Sequence, residues 1–274
     1  MHESKCHFIT NLYYAFRDRR YLYLVMEWAM GGDTYSLITE KHGRFNDFKK
    51  AGEPAVRFIL ACIILGIEYL HHHSIMYRDL KPENVLIFEN GYVKLTDFGL
   101  AKKIKPNEVS KTEAGTTIYY APEIVLREGY GKEIDFWTIG VLAYEMSNYS
   151  PPFSGDDIQN RYRVKKLVKS AENYRAWKNP YISSELKDLI NSLLKFNPKE
   201  RLGCKSWKDL KEHSFFTSVN FDWQSLSNMT MPSPLKPLID RHTIHCEDYN
   251  PAKHNAEMPP EGELGIPDWT MNRK

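Results

Sequence analysis

Four side chains in two neighbouring stretches carry the chemistry open to this chain. They are Asp79, Lys81 and Asn84 in the run Tyr77-Arg78-Asp79-Leu80-Lys81-Pro82-Glu83-Asn84-Val85-Leu86, and Asp97 in Asp97-Phe98-Gly99. An amide oxygen and a carboxylate held side by side offer two hard oxygen ligands, with room for water and phosphate, and such a pair suits Mg²⁺. A nearby carboxylate, Asp79, can take the proton of a hydroxyl nucleophile. Lys81, two residues on, can meet negative charge developing on a phosphate. Together these groups describe phosphoryl transfer to an alcohol. The competing reading, a loop of ordinary solvated charges, needs four polar types to fall at these spacings by chance.

The element that must position them is a hairpin. Residues 85–88 (Val-Leu-Ile-Phe) and 92–96 (Tyr-Val-Lys-Leu-Thr) read as strands, with Asn90-Gly91 between them. Asn-Gly is the strongest short hairpin signal, because both central residues of the turn need positive φ. If Asn90 and Gly91 alone form the loop, Glu89 pairs with Tyr92 and Asn84 comes opposite Asp97. Directly opposed residues have Cβ atoms roughly 4.5–5.5 Å apart, so this register puts the two ligands side by side.

Further elements flank the hairpin. Residues 12–16 and 21–26 predict two strands joined by the charged turn Arg17-Asp18-Arg19-Arg20. Residues 54–73 predict a long helix, with Pro54 in its first turn and a core face of Val56, Ile59, Leu60, Ile63, Ile64, Ile67 and Leu70. His71-His72-His73 at its end point in different directions, so they predict a solvated helix end rather than a metal site. Residues 133–148 are apolar nearly all round and predict a buried helix. Leu186, Leu189, Ile190, Leu193 and Leu194 mark another core helix.

Composition narrows the class. The chain has 274 residues, 42% of them apolar and 26% charged, which is ordinary for a globular protein with a sizeable core. A net charge of +2 argues against nucleic acid as the main partner. Cys6, Cys62, Cys204 and Cys246 show no metal-ligand or disulfide-framework spacing, which points to a reducing, cytoplasmic or nucleocytoplasmic setting. The longest apolar run, Phe58 to Ile67, is short for a bilayer, so no transmembrane segment is expected, and the start lacks a signal-peptide pattern.

The run around Asp79 resembles the catalytic loop of eukaryotic protein kinases, and Asp97-Phe98-Gly99 resembles their metal-binding motif. Tyr77 stands where most kinases have His. Tyr-Arg-Asp-Leu-Lys-Pro-Glu-Asn is typical of the AGC group of Ser/Thr kinases. The resemblance implies an α+β, protein-kinase-like fold: a mainly α-helical C-lobe with a remnant of the β-rich N-lobe. Residues 1–217 would be the kinase domain, with 1–26 the small-lobe remnant, 27–33 the hinge and 34–217 the C-lobe. Residues 218–274 would be an extended AGC-type tail.

The same resemblance implies the site. Cofactors would be ATP and Mg²⁺, with Asn84 and Asp97 on the metal, Asp79 as base and Lys81 on the transferring phosphate. Met26 would be the gatekeeper. Backbone groups of Glu27 and Ala29 would face the adenine edge, with Asp33 and Glu83 at the ribose and Leu86 as the floor under the base. Residues 100–120 would be an activation segment ending in Ala121-Pro122-Glu123. In it Thr116 would bond the catalytic Asp and Lys. Thr112 would be a phosphosite for an upstream kinase, paired by Arg78 and Lys102. The segment departs from the AGC pattern in having Thr117 after Thr116 and a somewhat longer stretch before Thr112. Asp135 would brace the catalytic loop, and Arg201 would pair with Glu123. Asp33, Glu83 and Glu145 match the acidic places that hold substrate arginines, which implies protein substrates with Arg two or three residues before the target Ser or Thr.

Pro234-Leu235-Lys236-Pro237 resembles the tail motif that wraps the lobes, and Glu247-Asp248-Tyr249 is a weaker match to the nucleotide tether. No Phe-x-x-Phe motif accompanies Trp269. The Gly-rich loop, third-strand Lys and helix Glu of a kinase normally precede the strand near Leu12. Neither Lys5 nor Glu3 fits those roles, so this chain by itself is expected to transfer little phosphate. The rival reading is a truncated or pseudokinase-type binding protein without turnover.

Overall fold

A computed structural model describes residues 6–39, 44–105, 108–153 and 177–241. Glu247-Asp248-Tyr249, Trp269, Cys246, Lys5 and Glu3 lie outside the described residues. Among the described residues the strands come as three antiparallel pairs. The first joins β1 (Leu12–Arg17) to β2 (Leu22–Met26). Next, β3 (Ile75–Met76) pairs with β6 (Lys102–Lys103), bringing the start of the catalytic run to the chain that follows Gly99. Last, β4 (Val85–Ile87) pairs with β5 (Val93–Leu95).

The helical body is built on α2 (Phe45–His72), which follows the short α1 (Tyr35–Ile38). The backbone of α2 breaks at Gly52 (φ 58°, ψ −147°), so Pro54 stands at the start of its second segment as the sequence predicts. Ile59, Leu60, Ile64 and Ile67 on that segment are 0% exposed. Burying a Leu or Ile contributes roughly 1.5–3 kcal/mol, against helix propensity differences below ~1 kcal/mol per residue. Packing, not propensity, therefore holds this helix. By length and composition α2 could cross a membrane, yet 72% of its most apolar window is buried in the protein.

Against α2 lies α4 (Glu133–Asn148), which follows the single-turn α3 (Pro122–Val125) and is buried from Ile134 to Asn148. On its other side packs α5 (Ser184–Leu193), with Leu186, Leu189, Ile190 and Leu193 inward and Ser183 capping it by accepting from Leu186 N at 3.1 Å. Among the described residues four short helices follow: α6 (Trp207–Lys211), α7 (Ser214–Thr217), α8 (Trp223–Ser227) and α9 (Lys236–Arg241).

Two sequence expectations change here. The stretch from 218 is not simply extended, because α8 and α9 dock on the body and bury Leu226, Leu235, Leu238 and Ile239. Low periodicity concealed this, since each helix is too short to show a repeat. His71, expected in solvent, is 5% exposed. It lies seven residues after Ile64 and four after Ile67, so it continues their buried face.

Candidate active site

The hairpin forms, but its register differs from the sequence expectation. Phe88 N bonds Tyr92 O at 2.9 Å and Gly91 N bonds Phe88 O at 2.8 Å, so the loop is Glu89-Asn90-Gly91, one residue longer than expected. Gly91 takes the left-handed position (φ 80°) of such a three-residue loop. Val85 then pairs with Leu95, and Asn84 lies opposite Thr96 rather than Asp97, with Thr96 N on Asn84 O at 3.0 Å. On a continuing strand that offset would send Asp97 to the opposite face from Asn84. The chain leaves the strand instead: Asp97 has φ 51°. Burial first, and then the charges of Asp79, Asp97 and Asp135, hold the Tyr77 hydroxyl pKa well above the ordinary value.

Asp79 is 6% exposed and held from several sides. Its Oδ1 accepts from Thr116 N at 3.1 Å and Thr116 Oγ1 at 3.0 Å. Its Oδ2 accepts from Asn84 Nδ2 at 3.0 Å and lies 3.0 Å from Lys81 Nζ. Lys81 Nζ also donates to Thr116 Oγ1 at 3.1 Å. The structure thus brings together Asp79, Lys81, Asn84 and Thr116 as the sequence predicts. Behind them Asp135 accepts from the amides of Tyr77 (3.0 Å) and Arg78 (2.9 Å) and from His71 Nε2 (2.7 Å).

The oxygens left over fit Mg²⁺. Asn84 directs its amide nitrogen at Asp79 Oδ2 and, at 2.8 Å, Asp79 O; its Oδ1 has no hydrogen bond among the described residues. Asp97 uses Oδ1 for Gly99 N at 3.1 Å and leaves Oδ2 without a partner there. Among the described residues no cluster of three His, Cys, Asp or Glu could hold a metal. An ion at Asn84 and Asp97 would therefore draw its other ligands from phosphate and water.

The stretch after β2 lies against β4. Gly31 N bonds Ile87 O at 2.9 Å, Ile87 N bonds Gly32 O at 2.8 Å, and Thr34 N bonds Val85 O at 2.9 Å. A Cβ on Gly31 would stand 2.7 Å from Ile87 Cβ, so only glycine allows this approach. Asp33 is bridged to Leu86, which joins two expected nucleotide contacts. Glu27 spends its N–H on Asn11 O, and Ala29 spends its C=O on Gly32 N, both at 3.1 Å. The Glu27 carbonyl and Ala29 amide remain as one acceptor and one donor. Met26 ends β2 and is 41% exposed.

Of the three carboxylates expected to hold substrate arginines, Glu83 is exposed and Asp33 half-buried. Thr34 Oγ1 donates to Pro82 O at 2.8 Å, joining their two segments. Glu145 corrects the expectation of an open contact: it is 7% exposed and accepts a hydrogen bond from the Tyr119 hydroxyl. Burial first, then repulsion from Glu83, push its carboxyl up to about 7, although the Tyr119 bond opposes the shift. It lies on a helix buried all round, so only an exposed partner could have kept it in solvent.

Thr112 is exposed. Lys102 is not paired with it but with Glu108, at 3.4 Å. Arg78 donates to Leu100 O at 2.6 Å and to Tyr130 OH at 3.2 Å. Arg201 forms the expected pair with Glu123, a buried fork with both contacts at 2.7 Å. His71, Tyr119 and Tyr130 were not singled out as site residues. Only His71 carried a signal, its place on the apolar face of α2.

A body of helices around one core, with a strand pair attached and an Asp–Lys–Asn–Thr cluster at the hairpin base, defines a protein kinase domain. The protein kinase domain profile matches residues 1–216, and the chain belongs to that family. It is similar to cGMP-dependent protein kinase, isozyme 2 forms cD5/T2, of Drosophila melanogaster, with 37% identity over 96% of this chain and 27% of that protein. It is 37% identical to human cGMP-dependent protein kinase 2 over 93% of this chain and 32% of that protein. The Caenorhabditis elegans cGMP-dependent protein kinase egl-4 is 33% identical over 95% of this chain and 32% of its own length. The chain thus spans about a quarter to a third of the curated relatives it matches.

Proposed function

We propose that this chain carries the phosphoryl-transfer centre of a Ser/Thr protein kinase that uses ATP and Mg²⁺. The observation that carries the reading is the Asp79 carboxylate held by Thr116, Asn84 and Lys81 beside two unpartnered oxygens. Asp79 orients the substrate hydroxyl and takes its proton. Lys81 meets charge on the transferring phosphate, and Thr116 fixes both side chains. Asn84 and Asp97 would hold Mg²⁺, which supplies charge neutralisation on the phosphates. The Glu27 carbonyl and Ala29 amide read the adenine edge, Met26 borders it, Leu86 underlies it, and Asp33 and Glu83 flank the ribose. Residues 27–33 act as the hinge between strand pair and helical body.

Protein substrates carry Arg two or three residues before the Ser or Thr. Asp33 and Glu83 are the reachable carboxylates, with Glu145 behind Tyr119. Phosphorylation of Thr112 by an upstream kinase belongs to the same proposal. Free Cys62 and Cys204 support a reducing, cytoplasmic or nucleocytoplasmic setting. The test is a peptide library with the full-length protein and labelled ATP. Transfer to Ser or Thr preceded by Arg is expected; an acidic or proline-directed preference overturns the substrate reading, and no Asp79-dependent transfer overturns the reaction.

A further inference from the structure

We infer that Tyr130 is a positioning residue whose hydroxyl holds the activation segment against the catalytic loop without a phosphate on Thr112. Tyr130 is 3% exposed and lies in the turn between α3 and α4. Its backbone pairs with Ser110 in both directions, Ser110 N to Tyr130 O at 2.8 Å and Tyr130 N to Ser110 O at 3.0 Å. Its hydroxyl donates to Thr112 O at 2.5 Å and accepts from Arg78 Nη1 at 3.2 Å. One residue thus holds the segment through its backbone at Ser110 and its hydroxyl at Thr112, and that hydroxyl also meets the arginine beside Asp79.

A phenol hydroxyl has one hydrogen to give and lone pairs to accept with. Here the hydrogen goes to the segment and a lone pair to the guanidinium, so the hydroxyl occupies the place a phosphate on Thr112 would compete for. The second cation expected to serve that phosphate, Lys102, is paired with Glu108. The segment is then anchored past Thr112: the oxygen of Arg78 lies where a Cβ on Gly115 would come within 2.6 Å, and Thr116 bonds Asp79. The chain's own groups thus provide, in the unphosphorylated protein, the links that a phosphate would otherwise make. A phosphate added at Thr112 would take Arg78 from Tyr130 rather than create order from a free loop. The inference rests on the kinase reading in naming residues 100–120 an activation segment and Thr112 its phosphosite; the contacts themselves do not.

The experiment is amide hydrogen exchange on the 274-residue chain, shown by mass to be unphosphorylated. In Tyr130→Phe, amides of residues 108–116 are expected to exchange at least tenfold faster, with α4 unchanged. Thr112→Ala, which keeps its main-chain oxygen, should exchange like the parent. Phosphorylating Thr112 in Tyr130→Phe should restore protection, because the phosphate then binds Arg78; a purely packing role for the ring would give no such rescue. Equal protection of 108–116 in Tyr130→Phe and the parent overturns the inference, as does failure of the rescue. If α4 also loses protection, the parent is read in its place, with and without phosphate on Thr112: protection of 108–116 already present without the phosphate supports the inference, and protection that appears only with it overturns the inference. None of these readouts needs turnover, so failure of the kinase reading would show separately, as absent transfer with the exchange pattern intact.

Discussion

Asp79 has the strictest requirement of any side chain in the site, because it must keep both its geometry and its basicity. Asp79→Asn keeps the shape and loses the basicity. Transfer in the full-length protein is expected to fall roughly 10²–10⁴-fold, the worth of a positioned general base, with the melting temperature little changed. Unaltered single-turnover rates would remove Asp79 from that role. Glu145 gives a pH test. Its ordinary value is 4.5 and its folded value about 7, so the folded state keeps the proton to higher pH than the unfolded state. Stability from this group is full below 4.5 and declines as pH rises through 7, by on the order of a few kcal/mol at most. Glu145→Gln should therefore raise the melting temperature relative to the parent more at pH 8 than at pH 5. A pH-independent difference would contradict the raised value. At this scale the sequence was most informative where partners are local. Asp79, Lys81 and Asn84 fall within six residues of one another. The burial of Glu145 under Tyr119 and of His71 on Asp135 depends on partners 26 and 64 residues away, which no local pattern encodes.

The β4–β5 hairpin shows what element-level signals can and cannot specify. Asn90-Gly91 marks a turn, but the pair fits either a two-residue loop or the last two places of a three-residue loop. The choice shifts the register by one residue, and the structure takes the longer loop. The deciding contacts come from far along the chain. Ser233 Oγ donates to Gly91 O at 2.6 Å, and Tyr92 OH donates to Met231 O at 2.7 Å. A Cβ on Gly91 would lie 2.5 Å from Ser233 Oγ and 2.8 Å from Lys236 N, at a φ of 80°. Left-handed backbone costs a non-glycine residue roughly 1–2 kcal/mol, and displacing residues 233–236 adds to it. Gly91→Ala is expected to destabilise by about 2 kcal/mol or more in denaturant titration; a loss under ~0.5 kcal/mol would show that residues 233–236 do not bear on the turn. The α3 pair Glu123–Arg201 is tested in the same way. Glu123→Gln leaves a buried guanidinium uncompensated, at a cost of roughly 3–5 kcal/mol. A near-neutral result would mean that the other acceptors of Arg201, Lys195 O, Glu133 O and Phe196 O, suffice.

Across the whole molecule, stability is divided unevenly. Helices α2, α4 and α5 share one core, whereas β1 and β2 pair only with each other among the described residues. Tyr13, Tyr14, Tyr21, Leu22 and Leu24 on that pair are 51–70% exposed. The apolar, aromatic-rich runs 12–16 and 21–26 predicted the strands correctly, yet such runs say nothing of how much a face is covered. An isolated two-stranded hairpin is marginal in water, so this one depends on its attachments. Leu95 bonds Phe8 O and Thr10 N, each at 2.9 Å. Glu27 accepts from Lys94 Nζ at 2.8 Å through both carboxylate oxygens and from Asn11 N at 2.8 Å. Opening of the pair should therefore precede unfolding of the body, and amides of 12–26 should exchange by local opening while α4 exchanges only with global unfolding. Glu27→Gln keeps a carbonyl for Asn11 but loses the charge facing Lys94. A hydrogen bond to a charged group contributes roughly 1.5–3 kcal/mol, so exchange in 12–26 should rise about ten- to a hundredfold with α4 unchanged. Equal acceleration in α4 would mean that the strand pair and the helical body unfold as one cooperative unit.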